Sequence, residues 1–184
     1  MNSLKGHLLV ASPGLIGPFF MRTVILMLEH NDEGALGVVL NRPTEATITD
    51  ISEQVFDGPF EWDKPIHLGG PVPGPLVAIH SVEDLADQEV FPGLFSTSEA
   101  FKVQQIIRGK TDPCLVVANY AGWGPGQLEG EIEEDSWRFI AARVELVFWE
   151  GDEDLWDVIR KQIGASELSQ ILRIKTVPPD PSMN

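Results

Sequence analysis

An α+β fold built on a mixed sheet is what this sequence predicts, and three observations carry the prediction. Apolar runs of strand length arrive first as a hairpin, then as a pair, then singly. Helical patterns separate only some of them, which is not the regular alternation of a doubly wound parallel fold. Several runs lack polar alternation, as strands covered on both faces do.

The elements follow in order. Gly6 to Ser12 is apolar and ends at Pro13, so it reads as a strand. Residues 13–20, with two Gly and two Pro, form an irregular connection. Thr23 to His30 and Ala35 to Asn41 are apolar runs separated by Asn31-Asp32-Glu33-Gly34, the chemistry of a hairpin loop. Thr47 or Thr49 caps a short helix to about Val55. Asp57 to Lys64 is loop-like. Pro65 to Leu68 and Leu76 to Ser81 are short strands flanking Gly69-Gly70-Pro71, with Pro73, Gly74 and Pro75 between them. A helix starts at Ser96 or Ser98, runs to about Arg108 and stops at Gly109. Cys114 to Ala121 is a buried strand, Gln127 to Glu134 a short acidic helix, Trp137 to Trp149 mainly strand, and Asp152 to Ile163 a helix with Leu155, Val158 and Ile159 on its apolar face. Residues 1–175 are expected to form a single globular domain, and residues 176–184, which hold no core material, a flexible C-terminal tail.

Of the 184 residues, 43% are hydrophobic, enough for a core. The charge is −15, which repels phosphate backbones and anionic headgroups over about 10 Å. Direct nucleic-acid binding and membrane association are therefore not expected. Residues 127–157 reinforce this, with eleven acids against Arg138 and Arg143 and no basic recognition helix. The uncharged stretch from Leu8 to Met21 is too short to span a bilayer as a helix and is interrupted by Pro13 and Pro18. A lone cysteine, Cys114, allows no internal disulfide and fits a reducing cytoplasm.

Motifs for specific chemistry are mostly missing. Gly109-Lys110-Thr111 imitates the end of a P-loop, but Gln104 stands where that motif needs glycine, and a helix precedes it. Gly122-Trp123-Gly124-Pro125-Gly126 joins a strand to a helix but lacks the later dinucleotide-binding glycine; a structural turn and a ligand loop both remain open readings. His7, His30, His67 and His80 show no metal-ligand spacing, and His80 with Glu83 and Asp84 reads as a solvated strand end. No cofactor and no metal are expected. Cys114 reads as a buried structural thiol.

Hairpin geometry gives the sharpest inference. With Asn31–Gly34 as the loop, His30 faces Ala35, Val24 faces Asn41 and Thr23 faces Arg42. Alternation then puts Arg22, His30 and Asn41 on one face, with Glu29 and Arg42 on the other. Arg22 and Asn41 become neighbours at the end away from the loop, with His30 about 20 Å off.

Long collinear strings carry a resemblance: Arg22-Thr23-Val24, Glu29-His30, Gly34 to Pro43, Gly69-Gly70-Pro71-Val72, and Ala121 to Glu129. Over about residues 4–163 the chain resembles the YqgE/AlgH family of bacterial proteins. The resemblance implies an α+β fold with a branched, largely antiparallel and partly barrel-like sheet surrounded by helices, in a cytoplasmic protein. It implies no agreed activity, although some members are described as transcriptional regulators in connection with alginate production. The family's polar motif positions fall here on Arg22, Glu29, His30, Asn41, Arg42, Trp123, Gln127 and Glu131, none with an assigned catalytic role. The chain departs from the family at Gly17, where an aspartate is usual.

The functional expectation is a cytoplasmic small-molecule-binding or regulatory protein, with Arg22, Asn41, Arg42, Trp123 and Gln127 as the ligand-binding set and an unidentified small molecule or protein as partner. Polar groups at strand ends and loops on an apolar scaffold are how such sites are built. The alternative is an enzyme using a polar cleft near the N-terminal hairpin; no catalytic residue is assigned.

Overall fold

A computed structural model describes residues 3–55 and 60–172. The expected tail, 176–184, and part of the 57–64 loop lie outside the described residues. The strands are β1 (His7–Ala11), β2 (Val24–Asn31), β3 (Gly34–Val39), β4 (Pro43–Thr47), β5 (Pro65–Leu68), β6 (Val72–His80), β7 (Gln88–Phe91), β8 (Leu94–Thr97), β9 (Cys114–Trp123) and β10 (Trp137–Ala141). The helices are α1 (Ile48–Val55), α2 (Ala100–Arg108), α3 (Gln127–Glu133), α4 (Val144–Val147) and α5 (Leu155–Leu172).

The sheet runs β10-β1-β2-β3-β9-β6-β8-β7, curls into a half-barrel and branches at β9. That strand is long enough to serve two neighbours along one edge. Val116 to Ala118 run parallel to β5, and Ala121 to Trp123 run antiparallel to β3. Its other edge is taken by β6, and β4 extends the branch by pairing with β5. The α+β, mixed and largely antiparallel architecture is therefore as the sequence predicts.

Two cores form on this sheet. The larger gathers Leu8, Leu9, Ile25, Leu26, Val38 and Val39 under Trp137, Trp156 and Ile159. The smaller packs Ile48, Ile66 and Val116 with Val103, Ile106 and Ile107 of α2. Each fully buried Leu or Ile contributes about 1.5–3 kcal/mol from removal of its surface from water. Helix ends are capped from the sequence. Thr47 Oγ1 accepts from the Asp50 N–H at 3.3 Å while Asp50 Oδ2 accepts from the Thr47 N–H at 2.8 Å, a reciprocal cap. Asp154 Oδ1 accepts from the N–H groups of Trp156 and Asp157 at the start of α5.

Several expectations are corrected. The hairpin pairs His30 with Ala35, as expected, but a bulge between Met27 and Glu29 shifts the ladder so that Ile25 faces Val39. Val24 consequently bonds Leu40, whose N–H donates to its carbonyl at 2.9 Å, and the expected Val24–Asn41 and Thr23–Arg42 pairing is lost. β6 begins at Val72, and its prolines Pro73 and Pro75 sit between Val72↔Tyr120 and Leu76↔Ala118, where the ladder is broken and missing N–H groups cost little. Gly70 explains the preceding glycine pair: a Cβ there would fall inside the backbone of Tyr120. Residues 88–97 form a hairpin that the sequence does not predict, turning at Pro92-Gly93, with Gly93 at φ 85°. Ser96 lies in β8, so α2 begins only at Ala100.

The run from Trp137 to Trp149 is strand only to Ala141. The apparent alternation of Val144, Leu146 and Phe148 belongs to one helical turn, in which Leu146 and Val147 are 2% and 3% exposed and Val144 is 38% exposed. His80 is fully buried within the sheet rather than solvated, and its Nε2 has no hydrogen-bond partner among the described residues. Helix α5 runs past Ile163 to Leu172.

Candidate functional site

The five residues singled out by sequence fall into two groups at opposite ends of β3. Trp123 faces Ala35 near the hairpin loop, whereas Asn41 lies six residues further along, about 20 Å away in an extended chain.

At the loop end, Glu131 on α3 organises the group. Its Oε2 accepts from the indole N–H of Trp123 at 2.9 Å and of Trp137 at 2.8 Å, and its Oε1 accepts from Gln127 Nε2 at 2.8 Å. Gln127 Oε1 accepts from the Gly124 N–H at 3.0 Å, so the turn before α3 is closed by its own side chain. Alongside, His30 Nδ1 accepts from the Leu4 N–H at 2.9 Å, which leaves the ring proton on Nε2 for Glu129 at 3.0 Å. These polar atoms bind one another.

At the far end, Asn41 bridges two segments. Its Oδ1 accepts from the Val24 N–H at 2.9 Å and its Nδ2 donates to the Arg22 carbonyl at 2.8 Å. Arg22 holds a left-handed backbone, φ 58°, lays its guanidinium 4.4 Å over the Trp156 ring, and pairs with Asp157 at 2.7 Å and Asp154 at 3.6 Å. Arg42 donates to the carbonyls of Asn41 and Met21.

Asn41 also walls a cleft of about 400 Å³ between the end of β3, β5, the start of β9, α4 and the start of α5. Leu40, Pro43, Pro65, Pro113, Phe148 and Trp149 give it flat apolar sides. Four polar residues lining it, Lys64, His67, Glu150 and Asp154, were not in the sequence-derived set; the one available signal was a histidine inside the short apolar strand of residues 65–68. His67 Nδ1–H donates to the Leu40 carbonyl at 2.6 Å, which fixes the tautomer and leaves the Nε2 lone pair without a partner among the described residues. Burial first, then the nearby Lys64 ammonium, push this imidazole below its usual range despite that bond, so it is neutral at pH 7. Cys114 is buried at the cleft wall, and burial pushes its thiol up to about 12, so it remains protonated and un-nucleophilic. Lys64 is paired with Asp112 at 3.0 Å.

Among the described residues, no helix is long and apolar enough to cross a membrane. The chain matches the sequence model of the AlgH-like family over residues 8–167. It is 40% identical to a UPF0301 protein of Chlorobaculum tepidum, the alignment covering 82% of each chain. It is 35% identical to a UPF0301 protein of Streptomyces avermitilis over 100% of this chain and 97% of the other. The solution structure of the AlgH protein from Pseudomonas aeruginosa superposes with a TM-score of 0.71 at 26% identity, covering 96% of both chains.

Proposed function

This chain belongs to the AlgH-like family, and from that premise we propose that it is a cytoplasmic small-molecule-binding or regulatory protein whose ligand occupies the cleft beside Asn41. Membership brings a fold and no specific biochemical function, so the reading rests on the site. The observation that carries it is an apolar cleft of about 400 Å³ containing one oriented, uncommitted polar atom, His67 Nε2. Ligand sites typically measure about 300–1,000 Å³, with apolar walls and a few fixed polar groups. Within the sequence-derived set, Asn41 contributes to the wall and Arg22 positions Asp154 on its rim. Arg42 ties the same loops together, while Trp123 and Gln127 brace the distant α3 turn. A protonated Cys114 favours binding over thiol catalysis, and the charge of −15 disfavours direct contact with nucleic acid.

A ligand-observed NMR screen of a chemically broad fragment library tests the reading. Leu115, half-buried on the cleft wall, is replaced in Leu115→Trp to fill the space. Hits that bind the wild type and are lost from a folded Leu115→Trp protein are the expected result. Hits that persist in the filled variant, or a library without hits, overturn the assignment.

A further inference from the structure

We propose that the occupant of this cleft is a compact aromatic amine, a flat apolar body carrying an N–H donor and a positive charge. The inference rests on the cleft being a ligand site, and it comes from counting which polar groups there are still free. Asn41 uses its Oδ1 and its Nδ2 within the protein. Lys64 is held by Asp112, and Arg22 by Asp157 and Asp154 while stacked on Trp156. His67 is neutral, with its one proton given to Leu40. Two acceptors have no partner among the described residues, the His67 Nε2 lone pair and the Glu150 carboxylate; the donors left over are the second Asn41 Nδ2 N–H and the Lys64 N–H groups that Asp112 does not take. Asp154 adds a second carboxylate to the rim, its Oδ1 already accepting the first N–H groups of α5.

An anionic ligand would enter this space against Glu150, Asp154 and a chain of net charge −15, with Lys64, the cation that lines it, already paired to Asp112. A ligand with a ring N–H and an ammonium meets complementary groups in both roles. Phe148, Trp149 and the prolines at 43, 65 and 113 supply flat surfaces suited to an aromatic body, and an aromatic face also attracts a cation.

Three probes of one shape separate the contributions: tryptamine, indole and indole-3-acetate, titrated into the full chain at low salt with chemical-shift mapping. Tryptamine is expected to bind at least about tenfold more tightly than indole-3-acetate, with indole between them. Glu150→Gln, on the exposed rim, should reduce the tryptamine affinity to near that of indole and leave indole unchanged. His67→Phe should weaken indole and tryptamine alike, and 1-methylindole should bind the wild type as poorly as indole binds that variant. Tighter binding of indole-3-acetate within the cleft overturns the ligand class while leaving the ligand site intact. Binding of none of the probes also overturns the class, and only a cleft-silent fragment screen removes the site itself.

Discussion

Because Glu131 accepts both indole N–H groups, replacing it with alanine leaves Trp123 and Trp137 with two buried orphaned donors. Each such donor costs about 1–3 kcal/mol, so Glu131→Ala should lose about 2–4 kcal/mol once partial rescue by water is allowed. Urea unfolding measures this directly, and a loss below about 0.5 kcal/mol would show that the carboxylate is dispensable to the pair. Histidines give a second residue-scale expectation. His67 and His80 are both held below the ordinary value of 6.5, chiefly by burial. The unfolded chain then binds more protons below that value, so stability is complete above it and falls as pH drops through it. Unfolding free energy should be lower at about pH 5.5 than at about pH 7.5, and His67→Gln should flatten the slope. An equal slope in the variant would locate the effect elsewhere. His80 is the larger surprise at this scale, since a histidine followed by polar residues reads as exposed. It lies between β9, where it faces Cys114, and the β7–β8 hairpin, which places Phe95 opposite it on the other side.

At the scale of the element, α2 owes its start to a residue far away in sequence. Glu99 at its N-cap makes no side-chain capping bond, and Asp87 Oδ2 instead accepts from the N–H groups of Ser98 at 2.7 Å and Glu99 at 3.0 Å. Burial would raise this carboxyl, but the Lys102 ammonium and these N–H groups outweigh it and hold Asp87 well below the usual carboxylate range. Asp87→Ala should cost about 1–2 kcal/mol, the ordinary range for a lost cap, read as a melting temperature lower by roughly 2–8 °C. An unchanged melting temperature would mean that water replaces the cap. Asp87 also shows what sequence leaves hidden, since no local pattern links it to a helix that begins at Ala100. The same limit explains the hairpin bulge. Val24 to Leu28 is apolar throughout and buried on both faces, so period-two contrast cannot specify register there. The loop end, where turn residues fix the pairing, was legible to within His30↔Ala35. The four residues of α4 read as strand because Val-Glu-Leu-Val, followed by Phe148, satisfies strand alternation and one helical turn equally well. The contact between Asn41 and Arg22 was legible because one hairpin makes it, whereas His67, Glu150 and Asp154 meet Asn41 only through the branch at β9 and the return of α5.

For the whole molecule, charge sets the last expectation. With 28 acidic residues against 13 basic ones, self-repulsion spreads over the entire surface. The exposed ion pairs, such as Lys161 with Glu153 at 2.6 Å and Arg138 with Asp135 at 2.7 Å, oppose it only locally, and exposed pairs are typically worth about 0–1 kcal/mol. Salt screens both, but the repulsive terms outnumber the attractive ones and act over longer distances, where screening is most effective. Raising sodium chloride to about 0.5 M should therefore increase the melting temperature, and the same change should weaken binding of a cationic ligand to the acidic rim of the cleft. The two responses run in opposite directions from one cause. A melting temperature that falls with salt would mean that the ion-pair network outweighs the net charge. Tryptamine affinity indifferent to salt would mean that Glu150 and Asp154 contribute no charge attraction at the cleft.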